Sequence, residues 1–154
     1  MTSTASWTSA SFPVGEDPAR RPRGLIDTSV VIDLGMIDPG ALPEELAVSA
    51  ITMAELAAGP HATDDPDERA RRQDRLQRAE ATFDPLPFDA AAARAYGRVY
   101  AAALAAGRKA RGARAVDLLI AATALSAGLP VITRNPGDFR ALGGLVDVVG
   151  VPRA

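Results

Sequence analysis

The sequence predicts an α/β fold: a mainly parallel sheet of about four to five strands with helices on both faces. Three observations predict it. Short apolar runs alternate with stretches of helical periodicity along the chain. Acidic residues recur where such a run gives way to a helix. The 154 residues, 47% hydrophobic and 23% charged, suit one globular domain with a proper core. No internal repeat is visible.

Residues 1–22 are rich in Ser, Thr and Pro, and read as a flexible leader ahead of a single domain over 23–154. In "RGLIDTSVVIDLG", Leu25 and Ile26 close a short buried strand, Thr28 to Leu34 open a helix, and Asp27 sits at the turn. "ELAVSAI" (45–51) is a second strand, and "TMAELAAG" a helix stopped by Gly59 and Pro60. Residues 66–82 are strongly charged, with Leu76 and Ala79 on the leaner apolar side of a surface helix. "FDPLPFD" returns as a Pro-punctuated extended segment, and Asp89 caps an Ala-rich helix over 90–106 that Gly107 ends. Tyr96, Val99, Tyr100 and Ala103 share one face of it. The basic connection "GRKARGAR" leads to a helix over 114–127 with Gly128 as its C-cap. "LPVIT" (129–133) is a strand, "NPGDFRAL" a short helix or turn, and "LVDVVGV" (145–151) the last strand.

Composition removes several chemistries. There is no cysteine, so disulfides, thiolate metal sites and cysteine nucleophiles are excluded, and the single histidine, His61, cannot build a zinc site. His61 lies in the polar stretch "GPHATDDPD" and reads as a solvated loop residue. A net charge of -2 advertises no global field for nucleic acid, so any such binding must be local. The start has no charged segment followed by an apolar core, and no run approaches the roughly 20 apolar residues of a membrane span, so a cytoplasmic protein is expected.

In a parallel α/β sheet, ligands bind outside the carboxyl ends of the strands. Asp27 follows the first strand, Glu55 lies in the first turn of the helix after the second, Asp117 opens the helix before the fourth, and Asn135 and Asp138 follow that strand. Each has a structural alternative. Asp27 is a favoured N-cap type, Thr52-Met-Ala-Glu55 has capping-box spacing, Asp117 suits the positive end of its helix, and Asn135 before Pro136 suits an N-cap. If the carboxylates meet at one sheet edge, their repulsion calls for a hard divalent cation, and Mg²⁺ and Mn²⁺ take such oxygen ligands together with phosphate. Bound metal activates water for attack on a phosphodiester without histidine or cysteine. This reading requires the oxygens of residues 27, 55 and 117 to stand together.

"LIDTSVVIDL", "VSAITMAELAAG", "ARAVDLLIAATALSAGLPVITRNPGDF" and the closing "LVDVV" together resemble the PIN-domain ribonucleases, and more narrowly the VapC-type toxins of bacterial toxin–antitoxin pairs. "DTS" alone is weak; the ordered set, spanning residues 24–150, is specific. The resemblance implies a PIN-like sheet, Mg²⁺- or Mn²⁺-dependent endonuclease activity on RNA, and inhibition by a small VapB-type antitoxin whose tail crosses the acidic groove. It also favours a homodimer. Carried over by position, Asp27, Glu55 and Asp117 match the acidic metal-site positions. Asp138 is favoured as the fourth acid, with Asn135 as a neutral oxygen donor or water-orienting group. Thr28, Ser29 and Thr133 are supporting partners of the acids, although each hydroxyl suits a helix cap equally.

Arg108, Lys109, Arg111 and Arg114 stand just before Asp117 and are expected to contact RNA phosphates, the alternative being a solvated loop. Arg71, Arg75 and Arg78 share a helix face with interleaved acids and read as a salt-bridged surface. Aromatics are only 5% of residues, so no stacking ladder signals a base preference. A phospho-receiver-like signalling domain also gathers acids at strand ends, but would offer a lysine after a late strand, and "LVDVVGV" has none. A haloacid-dehalogenase-like phosphatase would place an acid at Ser29. A non-catalytic interaction domain stands as the alternative if the acids are only caps.

Overall fold

The computed structural model describes residues 7–9, 21–108 and 112–152. Among these residues a five-stranded sheet forms the centre: β1 (Trp7–Ser9), β2 (Arg23–Ile26), β3 (Glu45–Ala47), β4 (Val131–Thr133) and β5 (Val148–Gly150), in the order β1-β3-β2-β4-β5. β2 pairs parallel with β3 and β4, and β4 parallel with β5, whereas β1 runs antiparallel to β3. Trp7–Ser9 falls within the segment expected as a leader and adds an edge strand; the leader's residues 1–6 and 10–20 lie outside the described residues.

Five α-helices flank the sheet among the described residues: α1 (Thr28–Ile32), α2 (Ala50–Ala58), α3 (Pro66–Thr82), α4 (Ala90–Ala105) and α5 (Ala113–Ala127). Strand residues alternate between faces, which divides the core in two. Leu25, Ala47 and Val131 point to the side covered by α4 and α5, where Val99, Ala103, Leu118 and Ala121 are buried. Ile26, Leu46, Val48 and Ile132 point to the opposite side, against Val30 of α1, Leu56 of α2 and Ala79 of α3. Helices therefore cover both faces, as the sequence predicts. Gly24 lets the layers approach: a Cβ there would stand 2.6 Å from Ile132 Cγ1.

Several boundaries differ from the sequence expectation. α1 ends at Ile32 and gives way to a 3₁₀ turn over Leu34–Met36, short of the expected end at Leu34. The second strand stops at Ala47 because Ser49 accepts from the Thr52 N–H and starts α2 at Ala50. Thr52 is thus inside the helix, the Thr52–Glu55 capping box does not form, and Glu55 lies in the second turn. β4 and β5 are shorter than the apolar runs that announce them, and "PGDFRAL" is a 3₁₀ segment over Pro136–Leu142. The extended "FDPLPFD" segment meets the sheet at a single parallel bridge, Leu86 to Ser49. On α4, Val99 and Ala103 are buried, Tyr96 packs half-buried against the core, and Tyr100 is 40% exposed.

Candidate metal centre

β2 is the sheet's switch point: the chain leaves it through α1 towards β3 on one side, while β4 returns on the other. The carboxyl ends of β2 and β4 are consequently neighbours. The Asp27 N–H donates to Ile132 O (3.0 Å), and Thr133 Oγ1 donates to Asp27 Oδ2 (2.6 Å). Ser29 Oγ donates to Asp27 Oδ1 (2.6 Å), which also takes the Val30 N–H (3.2 Å), so Asp27 does cap α1. Asp27 is buried, and that burial pushes its carboxyl upward from its ordinary value; the hydrogen bonds from Ser29, Thr133 and the Val30 and Ser29 N–H groups pull it back down.

Asp117 stands in the second turn of α5, beyond the first-turn positions where the helix dipole alone would favour an acid. Its carboxyl is pushed up to about 7, first by desolvation and then by the like charges of Asp138, Asp27 and Glu55; Arg114, one turn earlier, pulls the other way. Four acids from separate elements thus share one field: Asp27 after β2, Glu55 on α2, Asp117 on α5 and Asp138 in the 3₁₀ segment after β4.

Glu55 reaches this region through Thr28, whose hydroxyl donates to Glu55 Oε1 (2.5 Å) and meets Thr52 Oγ1 at 3.1 Å. Thr133 Oγ1 also accepts the Asn135 N–H (3.0 Å); Asn135 does occupy the N-cap position before Pro136, but its side chain makes no cap hydrogen bond. Thr28, Ser29 and Thr133 therefore all hold elements of the acidic site. Arg108 and Arg114 are half-buried, and Lys109 and Arg111 lie outside the described residues. Arg71 and Arg78 pair with Glu68 and Asp74 on the surface of α3, and His61 is exposed.

The donor set is entirely hard oxygen, and a divalent cation would relieve the repulsion that raises Asp117. The residues fit such an ion by chemistry and charge. Among the described residues, however, no three carboxylates stand at ligating distance of one point. Asp27 spends its oxygens on Ser29 and Thr133, and Glu55 spends one on Thr28, so an ion must compete with those hydrogen bonds. A separate cleft of about 600 Å³ between α1 and α3, lined by Ile32, Met36, Arg71, Arg75 and Arg78 among others, includes none of the four acids.

Sequence reasoning missed Ser49 and Thr52, both fully buried, and the ion pair between Asp33 and Arg134. The pair clamps the end of α1 to the residue that follows β4, whose N–H donates to Ser29 Oγ (3.1 Å). One signal was available: Asp33 sits at the carboxyl end of α1, where an acid opposes the helix dipole and needs a cation. Thr52 had a second signal in its spacing of three from Glu55, which puts both on one helix face.

A sequence profile of the PIN domain family matches residues 25–145. Ribonuclease VapC5 of Mycobacterium tuberculosis is 39% identical over 128 residues, spanning 81% of this chain and 91% of the relative. VapC ribonuclease Y4jK of Sinorhizobium fredii is 34% identical over 134 residues, 77% of this chain and 91% of its own. Among solved structures, VapBC-5 of Mycobacterium tuberculosis, a member of the VapBC family of toxin-antitoxin systems, superposes with a TM-score of 0.74. It is 38% identical and covers 84% of this chain and 99% of that one. Ribonucleases with PIN domains generally depend on divalent metal ions.

Proposed function

The chain belongs to the PIN domain family, and from that membership together with the acidic site we propose that it is a metal-dependent endoribonuclease, the toxin of a toxin–antitoxin pair. The reading rests above all on Asp117, whose carboxyl is raised to about 7 by burial and by three other acids drawn in from separate elements. Caps alone do not account for this. Of the four acids only Asp27 caps a helix, and Glu55 and Asp117 lie beyond the first turns of theirs.

In this mechanism Asp27, Glu55, Asp117 and Asp138 would hold Mg²⁺ or Mn²⁺, with Asn135 as a neutral oxygen donor or water-orienting group. Held there, such an ion would supply an activated water and would neutralise charge on the leaving oxygen. Thr133 and Ser29 orient Asp27, and Thr28 orients Glu55. Arg108, Lys109, Arg111 and Arg114 contact RNA phosphates beside the acids, and Arg114 already acts on Asp117 through space. The products carry a 3′-hydroxyl and a 5′-phosphate.

A VapB-type antitoxin would silence the site by placing an arginine on these carboxylates. A homodimer is supported by α4, whose outer face leaves Tyr100 40% and Leu104 52% exposed. No helix among the described residues is long and apolar enough to cross a membrane, and an RNA-cleaving toxin acts in the cytoplasm.

Labelled RNA incubated with the purified chain tests the reading. Cleavage is expected with Mg²⁺ or Mn²⁺, absent with chelator, and reduced at least about 100-fold in Asp27→Asn and Asp117→Asn. Chelator-resistant cleavage, or full activity in either variant, removes the metal mechanism.

A further inference from the structure

We propose that Thr52 is a positioning residue that sets the orientation of Glu55 through Thr28, an inference that rests on the nuclease reading above. Each hydroxyl carries one proton, and a carboxylate oxygen accepts. Thr28 commits its proton to Glu55 Oε1 at 2.5 Å. The 3.1 Å contact between Thr28 Oγ1 and Thr52 Oγ1 must then be filled by the proton of Thr52. Ser49 Oγ accepts the Thr52 N–H at 3.0 Å through a lone pair and donates its own proton to Thr52 Oγ1 at 3.4 Å. Every proton has one destination, and the chain runs in one direction from Ser49 through Thr52 and Thr28 to Glu55.

Burial says the arrangement has a purpose. Among the described residues, Ser49, Thr52, Asp27 and Thr133 are four of the five buried polar ones; the fifth, Thr123, bonds its own helix at Leu119 O. Burying a hydroxyl is costly unless it is bonded, and valine would fill the Thr52 position without that cost. Both hydroxyls are spent within the acidic site, where aligned donors polarise one another and strengthen the last bond, the one that Glu55 accepts. The Thr-x-x-Glu spacing is therefore used for the site, with Thr52 and Glu55 meeting Thr28 from one face of α2.

Mn²⁺ titration of the full chain, followed by calorimetry, tests the inference alongside RNA-cleavage kinetics. Thr52→Val is expected to weaken Mn²⁺ binding and lower kcat, each by about tenfold, with KM within about twofold of wild type. Thr52→Ser, which keeps the hydroxyl, should restore both. Thr28→Val breaks the chain one step later at a half-buried position, and should lose as much as Thr28→Val/Thr52→Val together, because the two act in series. A Thr52→Val protein that melts earlier yet binds Mn²⁺ like wild type overturns the proposal. So do additive losses in the double variant, and so does unchanged binding in Thr28→Val, which decides the matter even if Thr52→Val fails to fold. Wild-type protein that neither binds Mn²⁺ nor cleaves RNA overturns the nuclease reading and this inference with it, whereas normal wild-type binding with an indifferent Thr52→Val overturns the inference alone.

Discussion

Asp117 concentrates the electrostatics of the molecule in one side chain. Its carboxyl is raised from 3.8 to about 7 in the folded, metal-free chain, so the fold binds its proton more tightly than the unfolded chain does. The stability from that proton is complete below about pH 4 and is lost as pH rises through about 7. Asp27, also raised, contributes in the same sense. The melting temperature of the chelator-treated protein should therefore fall between pH 5 and pH 8. Asp117→Asn should flatten that fall, leaving the variant on the order of 1–2 kcal/mol more stable than wild type at pH 8 once solvent screening is discounted, and more stable by a smaller margin at pH 5. Thermal melts at the two pH values check this. The position of Asp27 was legible in the sequence because the apolar run of β2 stops there at a polar residue. Thr52 and Arg134 were not, because what each does depends on a partner 24 or 101 residues away.

At the scale of elements, α1 has only five residues and cannot hold itself together in water. It is fixed from outside, by burial of Val30, by the Asp27 cap and by Arg134 reaching Asp33 from the end of β4. The pair is mostly buried, with side chains 11% and 20% exposed, so stripping one partner leaves the other charge poorly solvated. Arg134→Met should destabilise the chain by about 1–3 kcal/mol, between the values for surface and fully buried pairs, as measured by urea unfolding. Arg134→Met with Asp33→Leu should recover most of that loss. Gly24→Ala on β2 puts a methyl into Ile132 and Pro43 and should cost about 1–3 kcal/mol in the same assay. The order and type of the elements followed from alternating apolar periods. Their ends did not, because local chemistry settles them: Ser49 outcompetes Thr52 as the cap of α2, and a three-residue strand pairs as well as its neighbours allow.

For the whole molecule, the strand order matters more than any helix. With β2 between β3 and β4, the connections diverge at its carboxyl end, where Asp27 after β2 takes the hydroxyl of Thr133 on β4. A linear sequence does not display that order; here it was accessible only through the resemblance of several ordered motifs. The antiparallel β1 carried no such motif and went unforeseen. The same architecture puts Asp27 at the switch point and leaves Tyr100 and Leu104 exposed on α4.

If Asp27, Glu55, Asp117 and Asp138 hold one catalytic divalent ion, anomalous diffraction from Mn²⁺-soaked crystals of the chain locates it among them. An Mn²⁺ peak is expected within about 2.5 Å of oxygens from at least two of these acids, Asp117 among them, and is expected to be lost in Asp117→Asn crystals. An Mn²⁺ site elsewhere on the molecule, or none there in protein that still cleaves RNA, would contradict it.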